Sequence, residues 1–297
     1  MKRTQDQQRT EPDAPDEFPG SSGLAMFSAP PFDHLEDLCG DIVGADLVCF
    51  LAGNQFMVAE DLFSAFRESV RDSGRELGGI FYETLPPGVL VDQIRRGGLQ
   101  MGSLRLCIQP DVLAASPASL KQLAEDGIVG DFVEYASNEL AILVPKGNPK
   151  RISGLADLAR DGIRVALPHP GTEGVGRLVM AALQAAGGQA LLTRMTEEKA
   201  ANGEVLTNQI HHRESPAWIM EGVVDAALAW RTEAIFHQRQ GRPIEAVEIA
   251  PEHNQRGRYA VAPVANAPHP TMAKEFIGFM SGPAARSAYA RHGFLAP

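Results

Sequence analysis

Short apolar runs alternate along this chain with longer segments whose apolar positions recur at helical spacing. Residues 45–51, 79–83, 104–108, 140–144, 164–167, 207–211, 226–230 and 259–264 read as strands. Leu62, Phe63, Phe66 and Val70 fall on one helical face; Glu60 and Asp61 open that helix and Arg67 and Arg71 close it, as the helix dipole favours. Ser116-Pro117 reads as the N-cap and first-turn pair of a helix that carries Leu120 and Leu123 and stops at Gly127. Val175, Leu178, Val179 and Leu183 make a further stripe, closed by Gly187. Ser215-Pro216 is a second cap pair before Trp218 and Ile219, and residues 272–280 and 283–291 form two C-terminal helices. Strands alternating with helices predict the α/β class, built on open, mostly parallel sheets flanked by helices.

A length of 297 residues suggests two domains, and 44% hydrophobic content is enough to give each a core. Lys and Arg number 27 against 37 Asp and Glu, a formal net charge of -10. That balance argues against a nucleic-acid or anionic-membrane partner, which needs a basic face. It does not bear on a small anion, which feels only a few local groups. No apolar run is read as a membrane span, so direct membrane insertion is not expected. Cys39, Cys49 and Cys107 show no C-x-x-C spacing, and Cys49 and Cys107, in apolar strand-like runs, are expected to be buried free thiols. Residues 1–22 are polar and lack the apolar stretch of a secretory signal; the segment 1–43 is expected to be mobile. Periplasmic and cytoplasmic locations both stay open.

Ligands of open α/β sheets bind beyond the carboxyl ends of strands, where helix N-termini point. Five junctions carry small or polar donors: 53–56 (GNQF), 84–88 (TLPPG), 168–174 (PHPGTEG), 211–216 (HHRESP) and 230–233 (WRTE). Free helix N-termini with nearby glycines suit a compact oxyanion. Each junction also has a plain structural reading. Asn54 and Gln55 fit an ordinary turn and cap, Thr84 a rigid turn before the Leu90/Ile94 helix, Thr172 a cap, His211-His212-Arg213 a solvated turn, and Trp230 core packing. Metal-ligand spacing is lacking, because His211 and His212 are adjacent and no cysteine pair accompanies them. Catalytic motifs are lacking too, although a His212/Glu214 acid–base pair is conceivable.

The segments LAGNQF at 51–56, VDQIRRGG at 91–98 with QPDV at 109–112, SNELAILVPKGNP at 137–149 followed by ISGLADL at 152–158, EGVVDAALAW at 221–230, and AKEFIGFM at 273–280 through Tyr289 to His292-Gly293-Phe294 resemble the type II periplasmic binding protein superfamily, in its molybdate/tungstate-binding branch. The resemblance covers about residues 45–297. It implies a two-lobed α/β fold, with lobe one at 44–137 plus 255–297 and lobe two at 138–254. Crossovers would run at 138–145 and near 250–258. It implies a non-catalytic solute-binding protein that closes on a small oxyanion, molybdate or tungstate first, and hands it to an ABC permease, with no cofactor. Ligand contacts would come from Asn54, Gln55, Thr84 and Thr172, and in lobe two from His212, Arg213, Trp230 and Thr232. Three departures stand out. Asn54-Gln55 replaces the Ala and Ser of many relatives, Glu173 brings a carboxylate that would pair with Arg213 or contact the oxyanion's metal centre, and the run 211–216 is not part of the common pattern. Two other readings on the same scaffold are a cytoplasmic anion sensor, store or metal-cofactor delivery protein, and an enzyme using His212 and Glu214.

Overall fold

A computed structural model describes residues 37–101, 104–171, 173–208 and 214–297. In chain order the strands are β1 (Leu38–Cys39), β2 (Ala45–Ala52), β3 (Gly79–Leu85), β4 (Leu99–Met101), β5 (Leu104–Leu106), β6 (Val112–Ala115), β7 (Val133–Pro145), β8 (Val165–Leu167), β9 (Val205–Thr207), β10 (Ala226–Trp230), β11 (Ile244–Glu248) and β12 (Arg256–Pro263). The helices are α1 (Phe56–Asp72), α2 (Pro87–Arg96), α3 (Pro117–Glu125), α4 (Gly174–Thr193), α5 (Lys199–Ala201), α6 (Glu214–Met220), α7 (Arg231–Arg239), α8 (Pro270–Met280) and α9 (Pro283–Arg291).

The main sheet runs β1-β3-β2-β6-β12-β7-β10-β8-β9, with β11 also paired to β7. β2 is parallel to β3 and β6, and β8 is parallel to β9 and β10, so each half has a parallel heart. The long strand β7 joins the halves. Residues 133–139 pair antiparallel with β12, and residues 140–145 pair antiparallel with β10 and β11. The outcome is a two-lobed α/β fold whose lobes share the crossing strands β7 and β12.

Side-chain alternation explains how this sheet is buried. Leu47, Cys49 and Leu51 of β2, Leu140, Ile142 and Val144 of β7, and Ala226, Leu228 and Trp230 of β10 belong to one core that runs along a single face. The intervening residues turn to the other face and divide. Val48 and Phe50 join one cluster with Leu113 and Ala260, whereas Ala141 and Leu143 join another with Ala227 and Ala229. Burial on both faces is why these strands read as continuous apolar runs. Helix α1 closes the common core with Leu62, Phe63, Phe66 and Val70. Helix α3 starts as its sequence signals: the Ser116 side chain accepts from the Ser119 amide at 3.2 Å, Pro117 occupies the first turn, and Gly127 follows the helix at φ +72°.

Several expectations change. β6 and β11 were not foreseen; Ala114 and Ala115 are too small to mark β6 as apolar, yet both faces of that strand are buried. The run expected at 104–108 is the short strand β5, which pairs only with β4 in a separate hairpin. Cys107 is consequently exposed rather than buried, whereas Cys49 is fully buried as a free thiol. The strand expected at 207–211 lies earlier, at β9, and residues 209–211 fall outside the described residues. Ser215 is inside α6, not before it, and its hydroxyl donates to Asn208 Oδ1 at 3.1 Å. Residues Gly174–Ala201 are long and apolar enough to cross a membrane by length and composition alone, contrary to the reading of the bare sequence. Val175, Val179, Ala182 and Leu183 of this run pack into the common core, and α4 is broken by non-helical backbone at Gly187 and Gly188. Within the segment expected to be mobile, residues 1–36 lie outside the described residues, while Leu38 and Cys39 pair with β3 and Asp37 is buried.

Candidate functional site

The carboxyl ends of β2, β3, β6 and β10 open onto one cavity of about 430 Å³. Lobe one contributes Ala52, Gly53 and Asn54 after β2, Pro86 and Pro87 after β3, and residues 115–118 after β6. Across the gap stand Glu173, Gly174, Val175, Arg177 and Leu178 at the start of α4, with Trp230 at the end of β10. Residues 256–259 of the crossing strand β12 complete the lining.

Four helices present their N-termini here. The 3-10 turn Gly53–Gln55 that leads into α1, and helices α2 and α4, have no side-chain cap; α3 is capped by Ser116. Uncapped first turns keep amide donors free and add partial positive charge, the ordinary requirements of an anion site. The prolines of α2 and α3 remove some of those donors, so the hydrogen-bonding capacity is concentrated at Gly53-Asn54 on one side and Gly174-Val175 on the other.

Charge in the cavity is unevenly satisfied. Arg256 bonds Glu139 at 2.8 Å and Arg258 bonds Glu134 at 2.7 Å, both across the pair of crossing strands. Arg177, in the first turn of α4, is exposed and makes no hydrogen bond or ion pair among the described residues. Glu173, 4% exposed, places a carboxylate beside it in the lining. Among the described residues no three His, Cys, Asp or Glu side chains gather as a metal site.

Behind the lining lies a set of buried polar bonds. Gln55 Nε2 donates to Asn54 Oδ1 at 3.2 Å, Asn54 Nδ2 donates to the Tyr259 hydroxyl at 2.6 Å, and Asn138 Nδ2 donates to Thr232 Oγ1 at 2.9 Å. These bonds involve the turn after β2, both crossing strands and the first turn of α7. Burial raises the Tyr259 hydroxyl well above its ordinary value, so it stays protonated.

Of the residues expected at the site, Asn54, Glu173 and Trp230 line the cavity. Gln55, Thr84 and Thr232 are fully buried and do not: Gln55 donates to Asn54, Thr232 accepts from Asn138, and Thr84 Oγ1 donates to Asp37 Oδ1 at 3.0 Å. Thr172, His212 and Arg213 lie outside the described residues. Glu214, the partner proposed for His212, is the first residue of α6 and accepts from Asn208 Nδ2 at 3.4 Å. Sequence reasoning did not single out Ser116, Arg177, Arg256, Gly257, Arg258 or Tyr259 for the lining. Ser116 was visible as a cap, and a cap placed directly after a strand is itself a site signal. The Arg-Gly-Arg-Tyr run on β12 carries no such signal, because only the pairing of β12 with β7 brings it to the gap.

Comparisons with known proteins agree with this architecture. The family model described as bacterial extracellular solute-binding protein matches residues 52–295. A sulfate-binding protein of Synechococcus elongatus is 26% identical over 207 residues, covering 66% of this chain and 58% of that protein, so the chain matches well under two thirds of its length. The molybdate-binding protein ModA of Mycobacterium bovis is 26% identical over 214 residues, covering 71% of this chain and 76% of its own. Among solved structures, the sulfate-binding protein SubI of Mycobacterium tuberculosis has a TM-score of 0.66 at 22% identity, covering 84% of this chain and 85% of that one. The periplasmic molybdate-binding protein of Azotobacter vinelandii has a TM-score of 0.64 at 16% identity, covering 84% and 99%. With a family model spanning both lobes and the crossing strands between them, the chain belongs to the bacterial extracellular solute-binding protein family.

Proposed function

We propose that this protein is a non-catalytic receptor that captures a small oxyanion in the gap between its lobes and delivers it to an ABC permease. The observation that carries the reading is the convergence of uncapped helix N-termini from both lobes on one cavity, beside an arginine that has no partner among the described residues. Lobes of 44–137 plus 255–297 and of 138–254 would close by bending at the crossing strands, driven by ligand contacts to both sides. Micromolar affinity needs about -8 kcal/mol. Hydrogen bonds to a charged group contribute roughly 1.5–3 kcal/mol each, so about five to seven of them suffice after the cost of closing. Gly53, Asn54, Gly174, Val175 and the Arg177 guanidinium supply donors of this kind from opposite sides. Thr172, His212 and Arg213 are proposed as further contributors, and molybdate, tungstate and sulfate are the first inorganic candidates.

A thermal-shift panel of molybdate, tungstate, sulfate and phosphate tests the reading. A ligand present at a hundred times its Kd adds about 2.7 kcal/mol and raises the Tm by roughly 5–10 °C in a protein of this size. Arg177→Ala is expected to weaken the bound anion about tenfold while leaving the unliganded Tm within about a degree, since the side chain is exposed and unpaired among the described residues. Flat melting curves across the whole panel at millimolar anion would remove inorganic oxyanions from consideration.

A further inference from the structure

The cavity has more room than a bare tetrahedral anion fills, and much of its lining is carbon. At about 430 Å³ it is in the range of pockets that enclose organic ligands, whereas four oxygens fill only a fraction of that space. Its backbone donors are also confined to two places, Gly53-Asn54 and Gly174-Val175. Pro86 and Pro87 at the start of α2 turn ring carbons to the cavity where other helices offer N–H groups, and Pro117 does the same at α3. Where β12 meets the end of β10, Leu178, Trp230 and Tyr259 bring carbon to the lining between the charged side chains. Gly257 has no side chain, and a Cβ at that position would collide with Trp230 Cη2 and come within 3.3 Å of Leu178 Cδ1. Trp230 Cη2 and Cζ3 therefore sit against Gly257 of β12, with Leu178 Cδ1 nearby and the Tyr259 ring 5.9 Å from the Trp230 ring. Trp230 and Tyr259 are otherwise buried, so what they expose faces this gap.

We propose that the natural solute is an organic oxyanion, such as a phosphonate, sulfonate or monoester, whose charged head is held by the Gly53-Asn54 and Gly174-Val175 amides with Arg177, and whose apolar substituent lies on the Trp230–Leu178–Tyr259 surface. The inference rests on the anion-receptor reading above and narrows its substrate class. Burial of a ring or short alkyl group on carbon adds affinity in proportion to the area removed from water, while the head group keeps the hydrogen bonds an inorganic anion would make.

Titration calorimetry on the full chain with phosphate, methylphosphonate and phenylphosphonate, and with sulfate and benzenesulfonate, decides it. The expected result is a Kd at least tenfold lower for each phenyl compound than for its inorganic parent. Leu178→Asn should abolish that preference, and Arg177→Gln should weaken both classes alike. Inorganic anions that bind as tightly as their phenyl derivatives would overturn this inference and leave the anion-receptor reading intact. Phenyl compounds that keep their advantage in Leu178→Asn would also overturn it. No binding by either class at millimolar concentration would overturn both. The paired comparison within the unaltered protein decides the matter even where the Leu178 variant does not fold.

Discussion

Individual residues show how one polar side chain can serve the site or the frame behind it. Asn54 does both, since it lines the cavity and donates to the Tyr259 hydroxyl. Thr84 and Thr232, chosen from sequence as hydroxyl donors to a ligand, are instead satisfied within the protein by Asp37 and Asn138. Buried hydroxyls find partners wherever the fold provides them, and a sequence does not say on which side of a strand end that partner lies. Glu83 is the buried acid with a measurable consequence. Burial pushes its carboxyl up to about 7, partly offset by a 2.9 Å hydrogen bond from Gln93 Nε2, with the nearby Asp37 charge adding to the rise. Between the ordinary value of 4.5 and about 7 the folded protein holds this proton and the unfolded chain does not, so stability falls as pH rises through that window. His237, lowered to about 4 by burial, works the other way: its contribution is lost as pH falls from 6.5 towards 4. Urea denaturation from pH 5 to 8 is expected to show Glu83→Gln gaining on the parent as pH rises, by up to about 3 kcal/mol at pH 8. Parallel profiles for the two proteins would show that Glu83 is not protonated in the folded state.

At the scale of elements, the segments read correctly were those whose ends are marked by local chemistry. The cap and proline of α3, and Pro283 at the start of α9, depend only on neighbouring residues. The segments missed depend on remote ones. β6 is held between β2 and β12, and β11 adds to β7. β12 also carries a close-packing constraint that its own sequence does not announce. At Gly257 the backbone approaches the Trp230 ring, so Gly257→Ala forces the indole to move. The expected cost is about 1–3 kcal/mol in chemical denaturation, accompanied by a shifted tryptophan emission as the ring is displaced towards the gap. An alanine variant as stable as the parent, with the same emission, would mean that the ring does not lie against this strand.

The whole molecule turns on two crossing strands. β7 and β12 belong to both halves of the sheet, and each is tied by a buried hydrogen bond to one side of the gap, Tyr259 to Asn54 and Asn138 to Thr232. A ligand that contacts both sides is expected to draw the lobes together, so small-angle scattering should show the radius of gyration falling when the anion found by thermal shift is added at saturation; an unchanged profile would indicate binding without closure. The local order of apolar runs, caps and prolines was enough to establish the α/β class, because strand alternation, helix faces and helix starts depend on residues close together in the chain. The family was legible as a resemblance carried by short contiguous runs, and the family model matches residues 52–295. The composition of the gap was not. Beyond Asn54, Glu173 and Trp230, its lining residues Ser116, Arg177, Arg256 and Tyr259 are far apart in sequence, and only the parallel hearts of the two lobes, with β12 returning alongside β7, bring them together. Which hydroxyl meets solvent, which arginine lacks a carboxylate, and where a missing side chain leaves room for a ring are consequences of long-range packing, and packing is set by the tertiary structure alone.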